Sequence, residues 1–394
     1  MKTKASLFLI MLISAVSIYG QKGQDGNVTW EITDSTLLIT GTGEMKDYDY
    51  NSNKAPWYLH RAIIKNVVIS DGLTSIGQSA FALCSILENI KVGSGITSIG
   101  NNSFLGCRNL SAINIPIGLE SIGALSFGAC SSLSGIIIPD KVVIIGEGAF
   151  SGCSGLKSIS IDNKNNIYKD INGIVYSKDE TELLIYPAGI EDETFTVPDF
   201  VSNICYGAFI NCNNLKNIEI SEGVVSIGRE AFYNCDKLET IKIPRSVTTL
   251  GENTFQYCRS ISTVEVNREY PISVSSGIFL ASSFAKAKLI VPAGAKNAYE
   301  KANVWKDFGS IIELETTNNL QINHGKVNVA VANGILSVDS PYVENVNIFS
   351  SLGSLVSSFT KNEGRATYTL PNMRAGIYFI AGAKGWSAKI RFIP

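Results

Sequence analysis

Residues 96–115 read ITSIGNNSFLGCRNLSAINI, and this stretch decides the fold because it returns at a fixed step. Phe81, Phe104, Phe127 and Phe150 lie 23 residues apart, as do Cys84, Cys107, Cys130 and Cys153. After an interruption the rhythm resumes in Phe209, Phe232 and Phe255 with Cys212, Cys235 and Cys258. A period of this size marks a solenoid, in which each repeat buries its apolar face only against its neighbours. Function then falls to surfaces and address signals.

The shared unit is V/I-x-x-I-G-x-x-A/S-F-x-x-C-x-x-L-x-x-I-x-I-P. Its I-x-I piece has period two and β-branched residues, which predicts a short strand with two side chains turned inward. The slots are Val67/Ile69, Ile90/Val92, Ile113/Ile115, Ile136/Ile138, Ile159/Ile161, Phe195/Val197, Ile218/Ile220, Ile241/Ile243 and Val264/Val266. At about 4.8 Å per strand these slots stack over roughly 40 Å. The step from Ile159 to Phe195 is 36, one repeat plus 13 inserted residues. That insertion predicts a hairpin, 173–176 and 182–186 around a turn at 177–181. A second apolar pair, such as Ile96/Ile99 or Val224/Ile227, predicts another edge of the coil. The glycine after it becomes Cys205 in one repeat, so crowding rather than positive φ explains the slot. The A-F-x-x-C segment predicts one helical turn with Phe inserted into the core. Pro116, Pro139, Pro198 and Pro244 close strands, where a missing N–H is tolerated.

This unit resembles the BspA-like bacterial leucine-rich repeat, although no Asn follows the strand as in the common leucine-rich pattern. Residues 28–58, beginning VTWEITDSTLLITGTGEMKDY, resemble that family's N-terminal cap, and LIVPAGAKNAYEKANVWKDFGSIIEL at 289–314 resembles its closing unit. The resemblance implies a cell-surface protein that adheres to host matrix proteins or other cells. Fold class is thus mainly β: a leucine-rich repeat solenoid of 23-residue repeats with terminal caps, followed by a small β-sandwich. The expected divisions are a signal peptide at 1–20, an N-terminal cap at 21–66 and the solenoid at 67–266, with its hairpin near 172–188. A closing cap at 267–315 and the sandwich at 316–394 follow.

The signal peptide rests on Lys2 and Lys4 ahead of the apolar run LFLIMLISAVSI and the small Gly20. No later stretch is long and apolar enough to predict a membrane-spanning helix once the signal is removed. From about Thr316 seven short β-rich runs alternate with turns rich in Gly, Asn and Ser, which predicts the sandwich. The turn Phe349-Ser-Ser-Leu-Gly353, the run Gly376-Ile-Tyr-Phe379 and Lys389 near the end resemble the type IX secretion C-terminal sorting domain. That resemblance implies secretion machinery as a partner and an extracellular or outer-membrane-surface location. An ordinary terminal β-module is the alternative.

A net charge of −2 without a dense basic run excludes a nucleic-acid footprint. Eight cysteines in an exported chain suggest disulfides, but seven occupy one repeat slot. They stack a strand spacing apart, farther than the roughly 3.8 Å between Cβ atoms that a disulfide prefers, and are expected as free thiols. No Cys/His cluster predicts a metal site. His60 and His324 fall in different modules, and the acidic runs at 179–182 and 191–193 do not follow a calcium-loop pattern. No cofactor and no enzymatic activity are expected.

The candidates are surfaces. The outward residues of the strands run Lys91, Asn114, Ile137, Ser160, Thr196, Glu219, Lys242 and Glu265, which reads either as a docking face for a protein or cell-surface ligand or as a solvated sheet face. The insertion, with Tyr168, Tyr176 and Tyr186, is the candidate recognition hairpin. Tyr48, Tyr50, Trp57 and Tyr58 either cover the end of the core or form an interface. A structural surface-layer role is the alternative to adhesion.

Overall fold

The structure, a computed structural model, describes residues 20–49, 51–314, 328–332, 335–350, 355–362, 364–369, 376–383 and 387–392. The expected signal peptide, apart from Gly20, lies outside the described residues, as do Tyr50, His324 and residues 351–354. The chain divides into two compact units. One takes the chain up to Asn267 with Pro271–Leu289 and Ala302–Ser310. The other takes Arg268–Tyr270, Ile290–Lys301 and everything from Ile311. The expected closing cap is therefore shared between them.

The first unit is the solenoid, and each coil has three sides. On the first side, eight of the nine predicted slots are strands: Asn66–Ile69, Asn89–Lys91, Gly135–Ile138, Ser158–Ile161, Thr194–Thr196, Asn217–Glu219, Thr240–Ile243 and Thr263–Val266. They pair in parallel from coil to coil, Ile136 with Ile159 and Ile218 with Ile241. The ninth slot, Ile113/Ile115, is not a strand, although Ile113 is buried. On the second side, two-residue strands such as Ser98–Ile99 and Ser226–Ile227 form further parallel ladders.

The third side corrects the expected helical turn. Alternate amides bond within the coil, as Cys84 N to Phe81 O at 3.1 Å. Those between them donate to the next coil: Ser79 to Asn101, Phe81 to Ser103 and Leu83 to Leu105. The residues two before and two after each Phe hold this alternation by a left-handed backbone, as Ser79 (φ 55°), Leu83 (φ 61°), Leu125 (φ 53°) and Ala129 (φ 55°). A non-glycine residue there is strained, and the ladder bonds on both sides hold it in place. The repeated glycine, by contrast, marks crowding: a Cβ on Gly100 would lie 2.6 Å from Gln78 N, and on Gly251 2.2 Å from Arg229 N.

Inside, the Phe rings form a column. Phe81, Phe104, Phe127 and Phe150 stack at 5.3, 5.3 and 5.4 Å between centroids, nearly parallel. Phe209, Phe232, Phe255 and Phe279 repeat this at 4.8, 5.4 and 5.4 Å. Burying one such ring stabilises by about 1.5–3 kcal/mol and each ring pair adds about 0.5–1.5 kcal/mol. Beside the column the thiols of Cys107, Cys130, Cys153, Cys235 and Cys258 donate to the carbonyl of the Phe one coil back, as Cys130 Sγ to Phe104 O at 3.2 Å and Cys235 Sγ to Phe209 O at 2.9 Å, and Cys212 donates to Tyr186 O. All eight cysteines are free. A small apolar side chain with a weak donor suits that slot.

The N-terminal cap is a meander, Gln21–Asp25, Val28–Thr33 and Thr36–Gly41, whose last strand pairs in parallel with Asn66–Ile69. Trp57 ends the ring column on Phe81 at 5.9 Å, and its Nε1 donates to Ala80 O at 2.7 Å. At the other end of this unit Trp305 and Phe308 close edge-on over Phe279.

In the second unit seven strands match the seven predicted runs, from Asn328–Ala332 to Ser387–Phe392. They form antiparallel sheets of three and four strands, joined where Phe359 stacks on Tyr368 at 4.4 Å. Lys361 is fully buried there, and its ammonium donates to Ser340 O, Tyr342 O and Asn362 O at 2.8, 3.1 and 2.6 Å.

Candidate binding surfaces

The parallel pleat aims one residue of each strand outward, and the predicted row lies on that face. Lys91, Asn114, Ile137, Ser160, Thr196 and Glu219 are exposed, while Lys242 and Glu265 are half-buried and form an ion pair at 3.7 Å. The row is not continuous. Thr196, Glu219, Lys242 and Glu265 sit in register in one ladder, Ile137 pairs with Ser160 in another, and Lys91 belongs to the N-terminal sheet. Asn114 falls in the slot that forms no strand.

The insertion is not a projecting hairpin. Three strands, Tyr168–Ile171, Ile174–Ser177 and Glu182–Ile185, form a meander. The last pairs in parallel with Asn203–Ile204, so the insertion is built into the second side of the coil. Two of its three tyrosines face inward, and Tyr168 is half-buried. Tyr176 and Tyr186 are 1% and 4% exposed, and Tyr186 stacks on Phe209 at 5.0 Å, one repeat step before it in the ring column. Tyr168 Oη accepts from Ile145 N and donates to Val143 O, both at 3.2 Å, which closes the end of a ladder. The Tyr176 and Tyr186 rings are therefore unavailable to a partner, because the array uses them as core. Of the cap aromatics, Tyr48 and Trp57 also cover the core, at 2% and 0% exposed, while Tyr58 is half-buried with the Arg61 guanidinium 4.1 Å from its ring.

The turn side carries a surface that the strand pattern did not reveal. Tyr206 faces Arg229 across one coil step, with the guanidinium 5.7 Å from the ring, and its hydroxyl donates to Glu230 Oε2 at 2.8 Å. One step further Tyr233 meets Tyr257 edge-on at 5.2 Å, and Arg259 lies 5.5 Å from Tyr257 while binding both Asp236 oxygens at 3.1 Å. These tyrosines are half-buried, held by neighbours yet accessible. The corresponding slots of the first coils hold Ala82, Leu83, Leu105, Gly106, Gly128 and Ala129. Reading the columns beside each Phe, rather than the I-x-I columns, would have found the patch.

The chemistry of the remaining candidates is structural. Burial pushes the Cys84, Cys153 and Cys205 thiols up to about 12, away from nucleophilic use. His60 leans on Trp30 with ring centroids 6.4 Å apart. Glu191 and Glu193 pair with Lys157 and Lys216, each at 2.6 Å, and Asp179 accepts from Ser177 and Thr181 in its own turn. Among the described residues no cluster of three ligating side chains occurs, and no helix is long and apolar enough to cross a membrane.

Comparison with known proteins agrees with this build. A leucine-rich repeat protein from Eubacterium ventriosum is 27% identical over 73% of this chain and 83% of its own, with a TM-score of 0.57. A leucine rich cell surface protein from Faecalibacterium prausnitzii is 22% identical over 74% of this chain and 94% of its own, with a TM-score of 0.48. No curated protein matches the chain. The pattern of the BspA type leucine rich repeat region matches in six copies, over residues 58–172 and 189–302. Those residues are the stacked coils with their Phe column and buried thiols, and on that ground the chain belongs to the BspA type leucine-rich repeat family.

Proposed function

We propose that the chain is an exported, surface-held binding protein, an adhesin whose solenoid contacts host matrix proteins or other cells. The observation that carries this is the patch of Tyr206, Tyr233 and Tyr257 with Arg229 and Arg259 on the turn side of successive coils. Tyrosine and arginine are enriched at protein interfaces, and rings already held in place lose little freedom on binding. The ladder carrying Thr196, Glu219, Lys242 and Glu265 offers a second, more polar face. Delivery through a signal peptide and a type IX sorting domain at 316–394 belongs to the same proposal, as does a role in binding rather than catalysis.

Binding of the purified chain to immobilised matrix proteins and to intact host cells tests it. Tyr257→Ala is expected to weaken binding about tenfold or more if the ring is a hot spot. Wild-type chain that binds neither target would sink the adhesin reading. The second reading, a surface-layer protein packing laterally, is favoured by Ile117, Ile137 and Ile144, which are 83%, 69% and 57% exposed. Light scattering that rises with concentration, without an added partner, would select it. Mass spectrometry of the surface-held form is expected to find the chain ending near residue 316; an intact C-terminus would remove the sorting proposal.

A further inference from the structure

The turn side of the coils has a gap at the insertion, and its two walls are chemically matched. In the coil of Phe127, three amides donate to carbonyls 22 residues ahead: Leu125 to Glu147, Phe127 to Ala149 and Ala129 to Ser151, at 3.1, 2.8 and 2.7 Å. The next coil presents the same three amides, Gly148, Phe150 and Gly152, and none has a hydrogen-bond partner among the described residues. Gly148 (φ 62°) and Gly152 (φ 72°) keep the left-handed geometry that aims all three N–H groups toward the missing neighbour. The opposite wall is the coil of Phe209. Its receiving carbonyls are those of Tyr206, Ala208 and Ile210, the slots that in the following coil, as Arg229, Ala231 and Tyr233, accept from Gly207, Phe209 and Asn211. Among the described residues only Ala208 O is taken, by Tyr186 N at 2.8 Å, and Tyr206 O and Ile210 O have no donor.

Between the walls lies a pocket of about 150 Å³, lined by Gly148, Phe150, Tyr168, Tyr206 and Ile210 among others. That volume is the liquid share of about five waters, room for a short stretch of main chain. Cys205, which replaces the crowded glycine of other coils, borders it, so the space that a Cβ lacks elsewhere exists here. One end is closed by Asn211 Nδ2, which donates to Ser151 Oγ at 3.0 Å.

We propose that this seam receives an extended peptide segment of a partner protein, bound by its main chain to the wall groups that residues 184–188 leave unpaired. These alternate N–H groups, aimed the same way while the amides between them bond within the coil, form a row of donors for main-chain acceptors. Unpaired donors and acceptors at a sheet-like step are the requirement for strand addition. An anion fits worse. It would satisfy only the donor wall, and the pocket lining holds Glu147 but neither Lys nor Arg. Small uncharged side chains suit the occupant, since the space is narrow and Phe150 and Ile210 line it.

Hydrogen–deuterium exchange of the full chain, read in fragments covering 146–153 and 123–130, tests the seam. The probe is the hexapeptide acetyl-Ala-Ala-Ser-Ala-Gly-Ala-amide, which is residues 124–129 with Leu125 and Phe127 cut back to Ala; the carbonyls of that stretch already pair with the coil before. At saturation it is expected to slow exchange in 146–153 by about tenfold and to leave 123–130 unchanged. Because recognition is through the main chain, unchanged exchange in 146–153 overturns the proposal. Sodium acetate giving the same protection as the peptide also overturns it and assigns the amides to carboxylates. Protection that appears without peptide and grows with protein concentration overturns it in favour of a second copy. Ile210→Trp fills the pocket and is expected to abolish the peptide effect while the melting transition persists. Should that variant not fold, Tyr206→Ala at the rim serves, with peptide affinity expected to change and the melting transition retained.

Discussion

The coils of Phe81 to Phe150 and those of Phe209 to Phe255 follow one repeat rule and are held differently. In the second array the strand ladder runs unbroken from Thr194–Thr196 to Thr263–Val266. In the first it is interrupted at 113–115, where no strand forms. The ring column does not register the loss: Phe104 to Phe127, across the interruption, is 5.3 Å, the same as Phe81 to Phe104. Bonds such as Phe104 N to Ser126 O, at 2.7 Å, also continue there. Coil-to-coil cohesion thus resides chiefly on the turn side, with its rings, thiols and paired amides, and the strand ladder reinforces it.

The strongest perturbation of that comparison is alkaline pH, because it strikes the thiol column of both arrays at once. Unfolded thiols ionise near 9.0, whereas burial holds Cys84 and Cys153 protonated to about 12 and raises Cys107 well above the ordinary value. The folded state then binds more protons than the unfolded one, so stability is full below pH 9 and falls as pH rises from 9 to 12. Fragment-resolved hydrogen exchange at pH 10–11 should show the first array opening before the second; simultaneous opening would break the comparison. Next in size, Phe127→Ala should cost about 3–5 kcal/mol in urea denaturation, with Phe232→Ala at the lower end of that range. Equal losses would mean that the strand ladder lends nothing. Proline separates the arrays more sharply. Lys242→Pro breaks a paired strand and should cost about 1–3 kcal/mol, whereas Asn114→Pro, outside any strand, should stay within about 0.5 kcal/mol. The smallest effect is that of Cys130→Ala, about 1 kcal/mol for a lost thiol donor and a slightly smaller side chain. A loss several times larger by calorimetry would make the thiol column, rather than the rings, the main tie.

Much of this was legible because a solenoid repeats its local rules. The step of 23 located the Phe column, the inward pairs of the strands, the free thiols and the crowded glycine, since each depends on a residue's own repeat slot. What was hidden depends on the neighbouring coil. Leu83, Leu125 and Tyr257 adopt left-handed backbone without any glycine to announce it, because amides on both sides of the turn are committed to bonds. Tyr186 reads as a recognition residue when the insertion is treated as a hairpin, although counting one step back from Phe209 places it in the ring column. The meander around Asn172–Gly173 shows why: the strand Ile174–Ser177 has a partner on each side, and a hairpin search supplies only one. The patch of Tyr233 and Tyr257 lies outside the I-x-I columns, and the segment around each Phe predicts only a helical turn.

The offset of 22 residues between donor and acceptor on the turn side has an evolutionary consequence. Every regular coil offers its successor the same amides and receives the same carbonyls. An in-register duplication or deletion of 23 codons therefore lengthens or shortens the array without creating a new kind of contact. Reach becomes a heritable variable that recombination can adjust, while the insertion at 168–188, which has no counterpart to recombine with, stays put as a fixed landmark.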